Sequence, residues 1–395
     1  MNVPVTKIIS QYFTKKEQLK LINLRKELHQ IPELAFEEVK TQALLEKELK
    51  KLKPHKLKRI AKTGLAAIFK GSNSKAPKIA IRGDIDGLPI AEKTGVQYTS
   101  KHPGKMHACG HDIHATWTLA TAHLLKKSGH EGDIVFIFQP AEEIAKGAKE
   151  VIKSGILKNC NYIIGAHVDR HFELPKIIFQ EGPISANSDT FTITFKGKGS
   201  HGARPHEGHS PLPALREFLK ELPKIEKKLN SRKDPCIISI GIIHSGSSHN
   251  ICPEEVLIKG TIRTISSKNQ DKSHNEIKKI CELIKKKEVL KLKIKIEKRA
   301  PAINNNKRLI RLAKKELSKI IGSRNCIPLQ TKNMGSEDFG EYLKMMPGCF
   351  FRIGARTSKE KNIPAHTSTF TVNETCIFIA AILFTTVVQK LQSDL

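Results

Sequence analysis

The chain has 395 residues, a length that predicts two domains of ordinary size. Hydrophobic residues make up 39% and charged residues 27%, which excludes a disordered, low-complexity or collagen-like protein. The 68 Lys and Arg residues outnumber the 39 Asp and Glu residues and give a formal net charge of +29, so a basic, non-catalytic nucleic-acid-binding protein is one hypothesis.

The first half of the chain alternates between helical and strand patterns. Apolar residues at helical spacing predict helices over 17–30 and 36–52, with a break at Pro32. Short β-type runs follow at 78–83, 133–138 and 162–167, with a helical stretch over 116–127. This alternation predicts an α/β fold with a central sheet flanked by helices. Each strand run ends at ionisable residues, where sites gather in open α/β sheets.

The pattern changes near residue 184 to longer alternating strands. We predict strands over 190–199, 236–243, 255–265 and 290–299, and helices over 211–229 and 273–287. Two helices and four strands are enough for a small α+β domain. We therefore expect a discontinuous catalytic domain, 1–184 and 298–395, interrupted by an inserted lid domain over 185–297.

Neither a secretory signal nor a membrane span is predicted. The longest apolar run, 376–388, has 13 residues, fewer than the ~20 that a span requires, and is expected to be a buried helix or strand. The eight cysteines show no paired spacing, which is typical of reduced thiols in a cytoplasmic protein. The densest basic runs, 47–59 and 285–299, are predicted to be solvated surface rather than a polyanion site.

The segment MHACGHDIH concentrates residues that bind metals. Its ionisable side chains lie within eight positions: His107, Cys109, His111, Asp112 and His114. A lone histidine in an apolar stretch is usually a satisfied core residue, but such a dense group is not explained by packing. Thiolate and imidazole suit zinc and the later first-row divalent metals.

Further ligand-type residues follow other predicted strands. Glu142 and Glu143 close the segment QPAEE (139–143), which directly follows the strand 133–138, His167 ends the next strand, and His366 lies in a late loop. Adjacent carboxylates could divide the work of metal-assisted hydrolysis, one binding metal and the other taking a proton from water. If the two glutamates stood alone, a solvated acidic turn would explain them as well as a catalytic pair does.

One rival chemistry fits part of the pattern. Cys109 with a nearby histidine could act as the nucleophile of a cysteine amidase. That mechanism leaves both glutamates, His167 and His366 without a role. The sequence contains no HExxH, no phosphate-binding Walker loop and no zinc-deaminase signature.

Nine blocks, in order, resemble a known family. They are LRKELHQIPELAFEE (24–38), IRGDIDGLPI (81–90), HPGKMHACGHDIHAT (102–116), FIFQPAEE (136–143), GAHV (165–168), GKGSHGARPH (197–206), HNICPEEVLIKGTIRT (249–264), MGSEDF (334–339) and AHTSTF (365–370). The chain is similar to the metal-dependent amidohydrolases and carboxypeptidases that include hippurate hydrolases, N-acetyldiaminopimelate deacetylases and auxin-conjugate hydrolases, relatives of aminoacylase and succinyl-diaminopimelate desuccinylase.

The resemblance implies a dinuclear site and a role for each matching residue. Two divalent ions (zinc, manganese or cobalt) would be held by Cys109, His111, Glu143, His167 and His366. Glu142 would be the general base and acid, and Asp86 would support the site by orienting a metal-binding side chain. His201 would stabilise the oxyanion formed at the scissile carbonyl.

The resemblance also implies the substrate and the assembly. Asn250 and Arg263 would bind the carboxylate of the substrate, and His206 is either a substrate contact or a turn residue. The reaction implied is hydrolysis of the amide bond in N-acyl amino acids, or in short peptides with a free α-carboxylate. A homodimer or higher homo-oligomer would form through the lid, with no nucleic-acid or membrane partner. The stretch VDRHFELP (168–175) departs from the family and is expected to line the acyl or side-chain pocket.

Overall fold

The computed structural model describes residues 4–393 and divides into two compact units. Unit 1 comprises the chain up to Ile184, Asn304–Gln330 and the chain from Asp338 onward. Unit 2 comprises Ser185–Ile303 and Thr331–Glu337. Residues 298–303 and 331–337, which we had assigned to the catalytic domain, therefore pack with unit 2.

The first segment of unit 1 contains five helices and seven strands among its described residues. These are α1 (Val5–Tyr12), α2 (Lys15–His29), α3 (Val39–Lys51), β1 (Lys56–Ile60), β2 (Gly64–Phe69), β3 (Ile79–Asp84), α4 (His111–Ser128), β4 (Ile134–Gln139), α5 (Gly147–Lys153), β5 (Tyr162–Glu173), β6 (Ile177–Ile178) and β7 (Gly182–Pro183). Helix α1 was not predicted. Helix α4 begins five residues before the predicted start, because its polar first turn is buried by partners that are distant in sequence.

Unit 2 contains a four-stranded antiparallel sheet and two long helices. Its elements are β8 (Asn187–Lys196), β9 (Ser200–His201), α6 (Leu212–Leu229), β10 (Cys236–Ser245), β11 (Ile251–Cys252), β12 (Glu255–Thr264), α7 (Ser267–Lys287) and β13 (Lys291–Ala300). The sheet order is β10-β12-β8-β13, and β9 pairs separately with β11. Alternate residues of β8 (Phe191, Ile193 and Phe195) are buried, as the period of a half-exposed strand requires.

The remaining segment returns to unit 1. Its elements are β14 (Asn304–Asn305), α8 (Lys307–Ile321), β15 (Cys326–Ile327), α9 (Gly340–Leu343), β16 (Gly348–Arg356) and α10 (Thr375–Ser393). Helix α10 has the length and mean hydropathy (1.6) of a membrane span, but 78% of its most apolar stretch is buried inside the protein. It packs against α4 and α8, so the predicted apolar segment is a core helix, six residues longer than the 13-residue run.

An eight-stranded mixed sheet organises unit 1. Its order is β1-β2-β4-β3-β5-β16-β6-β15, with parallel pairing of β4 with β3, β3 with β5, and β5 with β16. The carboxyl ends of these parallel strands meet at one edge of the sheet. Asp84 ends β3 opposite Gln139 at the end of β4, and His167 of β5 pairs with Arg352 of β16. The predicted α/β class with a mixed central sheet is confirmed.

Candidate metal centre

A glycine turn presents the first two candidate ligands. Cys109 and His111 flank Gly110, whose left-handed φ of +87° precedes the first residue of α4. An added Cβ at Gly110 would lie 2.6 Å from Val168 Cγ2, so both the backbone conformation and the close packing require glycine. The turn lets a thiol and an imidazole two residues apart serve one site.

Five candidate ligands come together in unit 1 as two sets that share one thiol. Their donor atoms lie within 4.8 Å of one another in each set, namely Cys109–His111–His167 and Cys109–Glu143–His366. Ligand atoms about 2.0–2.3 Å from one ion are at most about 4.6 Å apart, so this spacing is close to that of a coordination shell. Within these sets, Cys109 Sγ lies 3.3 Å from His167 Nε2, and His366 Nε2 lies 3.4 Å from Glu143 Oε1.

The His111 imidazole provides a test of whether a cation fits. Its Nε2 is buried and has no hydrogen-bond partner within residues 4–393. Carboxylate oxygens surround this nitrogen at 3.7–3.9 Å, too far for hydrogen bonds, and belong to Asp84, Glu142 and Glu143. A buried polar atom without a partner is costly, whereas a divalent ion would satisfy the nitrogen and the carboxylates together. The residues fit a metal.

Without metal, protons would take the place of the cations. Burial opposes a charge on His111, but Asp84 outweighs it and raises the pKa of this imidazole well above its usual value. The neighbouring Cys109 thiol and Glu143 carboxylate raise the pKa of His366 to about 10, and burial raises the pKa of the Cys109 thiol. Metal binding at this site must therefore release protons.

Asp86 supports two candidate ligands at once. Its Oδ1 lies 3.2 Å from His111 Nδ1, and its Oδ2 accepts a hydrogen bond of 3.0 Å from the Glu143 backbone N–H. The backbone carbonyl of Asp86 also lies 2.9 Å from His111 Nδ1. Both acceptors place the imidazole proton on Nδ1, which leaves the Nε2 lone pair for a metal.

A buried ionic network behind the site was missed in the sequence. Asp84 accepts hydrogen bonds from Arg82 (2.5 Å) and from His114 Nδ1 (2.6 Å), and Arg82 also donates to Asp338 (3.1 Å). His114 Nε2 accepts the Val168 backbone N–H at 3.1 Å. Both nitrogens of His114 are therefore used, and its role in the motif is structural. The partners of these residues lie up to 256 positions away, so local spacing carries no signal for them.

Asp112 in the same motif is a structural anchor. Its Oδ2 lies 2.9 Å from Arg25 Nε and 2.7 Å from His29 Nδ1, and all three side chains are almost fully buried. Burial opposes ionisation of Asp112, but Arg25 and His29 outweigh it and hold the pKa of this carboxyl far below its usual range. The pairing joins α2 to the start of α4.

Glu142 follows a constrained turn at the end of β4. The preceding residue, Ala141, has a φ of +57°, a strained value for a side chain with a Cβ. Its N–H donates to the buried carboxylate of Glu38 at 2.9 Å, which also accepts the Thr63 hydroxyl. Glu142 itself is 9% exposed and lies 3.9 Å from His111 Nε2. Glu38, absent from our predicted site, therefore holds the backbone that presents Glu142.

The remaining candidate residues lie in unit 2. His201 on β9 pairs with Ile251, next to Asn250, and His201 Nδ1 accepts the Ala203 N–H at 3.1 Å. The His201 proton therefore resides on Nε2, which can donate. Asn250 Oδ1 accepts the Ser248 hydroxyl at 2.6 Å, so its amide NH₂ is the group left to donate.

The other two candidates in unit 2 differ in their contacts and exposure. Arg263 on β12 donates to Ser336 Oγ at 2.5 Å, a contact within unit 2. His206 is exposed in a short 3₁₀ turn. The roles proposed for all four residues stay predictions.

Comparison with known proteins identifies the family. The family model described as peptidase family M20/M25/M40 matches residues 80–390. An N-acetyl-L-cysteine deacetylase of Bacillus subtilis is 35% identical over 367 residues, 91% of this chain and 85% of the relative. A hippurate hydrolase of Campylobacter jejuni is 31% identical over 360 residues, 91% of this chain and 93% of the relative.

A solved structure agrees in fold. A Bacillus subtilis protein described as a dinuclear metal-binding peptidase of the M20 family superposes with a TM-score of 0.83 at 29% identity, covering 97% of this chain and 100% of that one. These relatives are hydrolytic enzymes, so the predicted enzyme class is confirmed. The chain belongs to peptidase family M20/M25/M40, the family that its nine ordered motifs resemble.

Proposed function

We propose that the protein hydrolyses the amide bond of N-acyl amino acids, or of short peptides with a free α-carboxylate, at a centre of two divalent metal ions. The observation that carries this proposal is the pair of donor sets that share Cys109. Bound divalent ions would lower the pKa of water and polarise the acyl carbonyl. The mixture of thiolate, imidazole and carboxylate donors suits zinc, manganese or cobalt.

Glu142 is the proposed general base. Its position beside the two donor sets, 3.9 Å from His111 Nε2, supports the removal of a proton from the attacking water. The same carboxylic acid then returns the proton to the amine that leaves. Its neighbour Glu143 serves as a ligand, so the adjacent glutamates divide the two tasks.

The unit 2 residues are proposed to recognise the substrate. His201 has its proton on Nε2, the form required to donate a hydrogen bond to an oxyanion. Arg263 is suited to bind a carboxylate through its guanidinium group, and Asn250 adds amide donors. His206 is retained as a weaker candidate for a substrate contact. The acyl group is left open, and a panel of N-acetyl, N-benzoyl, N-succinyl and indole-acetyl amino acids would identify it.

The environment of Cys109 argues against the rival cysteine amidase. Burial raises the pKa of this thiol and so favours the protonated form, whereas a nucleophilic cysteine needs a lowered pKa. A thiol that forms its thiolate only when a metal binds is a ligand rather than a nucleophile. The rival also predicts activity that is insensitive to chelators.

We also propose that unit 2 mediates homodimer formation. The two edges of its sheet differ in character, because β13 exposes Lys291, Lys293 and Lys295, whereas β10 exposes Ile242 (51%) and Ile243 (47%). Charged edges discourage strand pairing, and an apolar edge favours it. Free thiols at all eight cysteines suit the cytoplasm, where we propose that the enzyme acts.

Replacement of Glu142 by glutamine tests the mechanism. Turnover should fall by about 10²–10⁴-fold, because glutamine cannot take a proton, while metal content measured by mass spectrometry stays near wild type. Glu341→Gln is the matched control, since Glu341 is similarly buried (8% against 9% exposed) and is expected to leave turnover unchanged.

Two outcomes would contradict the proposal. Turnover of the Glu142→Gln variant within tenfold of wild type would remove Glu142 from the mechanism. Full activity after exhaustive treatment with a chelator would exclude the metal centre and favour the cysteine mechanism. Restoration of activity by Zn²⁺, Mn²⁺ or Co²⁺ is the expected result.

A further inference from the structure

A long loop carries His366 without regular structure around it. The loop spans the 18 residues between the end of β16 at Arg356 and the start of α10 at Thr375. Loops of this length inside a compact unit are usually functional, and they need specific anchors to hold one conformation. The His366 side chain is 53% exposed, so burial alone does not fix it.

The backbone at His366 needs external support. Its φ of +64° is unfavourable for a residue with a Cβ and persists only where the surroundings hold it. Two backbone hydrogen bonds near the centre of the loop help, from His366 N–H to the Ala108 carbonyl (2.8 Å) and from Lys93 N–H to the Ser368 carbonyl (2.7 Å). These two bonds hold the centre of the loop. The segments before and after His366, which we call the two arms of the loop, need other contacts.

Arg170 joins the two arms of the loop. It lies on β5, three residues after His167, and is 5% exposed. Its Nη2 donates to the Lys361 carbonyl at 2.5 Å, and its Nη1 donates to the Thr371 carbonyl and to Thr371 Oγ1 (3.3 Å). Lys361 and Thr371 lie five residues before and five residues after His366. One guanidinium therefore holds both arms at equal distance along the chain from the candidate ligand.

This contact changes the interpretation of the segment VDRHFELP. We expected the stretch to line the acyl or side-chain pocket, yet Arg170 within it donates to backbone carbonyls of the loop. A lysine at this position could replace it only in part, because an ammonium acts as a single point whereas the planar guanidinium offers separate donors to two carbonyls.

We infer that Arg170 is a positioning residue for His366, and that its loss weakens one of the two metal sites selectively. The inference rests on the proposed dinuclear centre. His366 belongs only to the donor set Cys109–Glu143–His366, whereas the set Cys109–His111–His167 comes from the start of α4 and from β5. Release of the loop should therefore affect the first set and leave the second in place.

Metal titration of the metal-free enzyme separates the two sites. Zn²⁺ or Co²⁺ is added in competition with a chelating dye to wild type, Arg170→Met, Arg170→Lys and His366→Ala. We expect two binding steps in wild type. In Arg170→Met one step should weaken by about 10–100-fold while the other is unchanged, with a smaller loss in Arg170→Lys. The double variant Arg170→Met/His366→Ala should lose no more than His366→Ala alone, since both act on one site.

Arg311→Met provides the matched control. Arg311 is an arginine of unit 1 that forms an exposed ion pair with Glu181 at 2.8 Å, so its loss should leave both binding steps as in wild type. Excess metal should restore turnover of Arg170→Met with little change in KM, because the substrate contacts remain.

The outcomes distinguish the inference from the proposal beneath it. Fewer than two binding steps in wild type would refute the dinuclear centre itself. Two wild-type steps together with unchanged binding in Arg170→Met would refute the role of Arg170. Equal weakening of both steps in Arg170→Met would show a general structural role and would also overturn the inference.

Discussion

Replacement of Asp86 by asparagine is a sharp test of how the candidate ligands are held. One carboxylate accepts from His111 Nδ1–H and from the Glu143 N–H, at 3.2 and 3.0 Å. Asparagine has nearly the same shape but only one acceptor oxygen. If that oxygen faces His111, the amide NH₂ faces the Glu143 N–H, and two donors oppose each other.

The expected loss follows from this geometry. A hydrogen bond to a charged group contributes about 1.5–3 kcal/mol, which corresponds to about 10–150-fold in metal affinity if the ligands must be repositioned on binding. Asp86→Asn should therefore bind metal about 10–150-fold more weakly, and Asp86→Ala at least as weakly, by competition with a chelating dye. Asp133→Asn serves as a control, because Asp133 caps the Gly71 N–H in the same unit (3.1 Å) and is not part of the metal centre. Affinity of Asp86→Asn within threefold of wild type would refute this reasoning.

Two further predictions concern pH and assembly. Burial raises the pKa of Glu38 from 4.5 to about 7, so its contribution to stability is present below pH 4.5 and is lost as the pH rises through 7. Between pH 4.5 and pH 7 the unfolding free energy of wild type should fall by at most about 3 kcal/mol relative to that of Glu38→Gln. Urea unfolding with chelator present measures both. The same dependence of unfolding free energy on pH in the two proteins would contradict this prediction. Replacement of Ile242 and Ile243 by lysine should convert the dimer to a monomer in light scattering, whereas Lys293→Glu on the opposite edge should not; a monomeric wild type would refute the assembly.

Local composition was sufficient to select part of the candidate site. Cys109 and His111 stand out because ligand-type residues crowd one short segment, and Glu142 and Glu143 because they follow a buried strand. The sheet then explains their proximity, since β3, β4 and β5 run parallel and end at one edge. The same crowding misled the helix prediction, because polar residues at the start of α4 broke the apolar period.

Residues whose partners are distant in sequence could not be predicted. Glu38 reads as an ordinary acidic residue before α3, yet it caps Ala141, 103 positions later. Arg170 contacts Thr371, 201 positions away, and Arg82 contacts Asp338, 256 positions away. No period or spacing relates such pairs, so only the folded chain identifies them. The same limit applies to 331–337, which pack with unit 2 although unit 1 residues flank them on both sides.

The position of α10 in the chain has a consequence for synthesis. This helix contributes buried residues to the core of unit 1 and packs against α4, which lies more than 240 residues earlier. During translation from the amino terminus, most of unit 2 is complete before α10 emerges from the ribosome. Unit 2 can therefore acquire its fold first, while unit 1 still lacks α10 and His366 and leaves the apolar surface that α10 covers exposed. A ribosome paused before α10 would carry a nascent chain that exposes the apolar surface of unit 1. Chaperones bind exposed apolar surface of this kind.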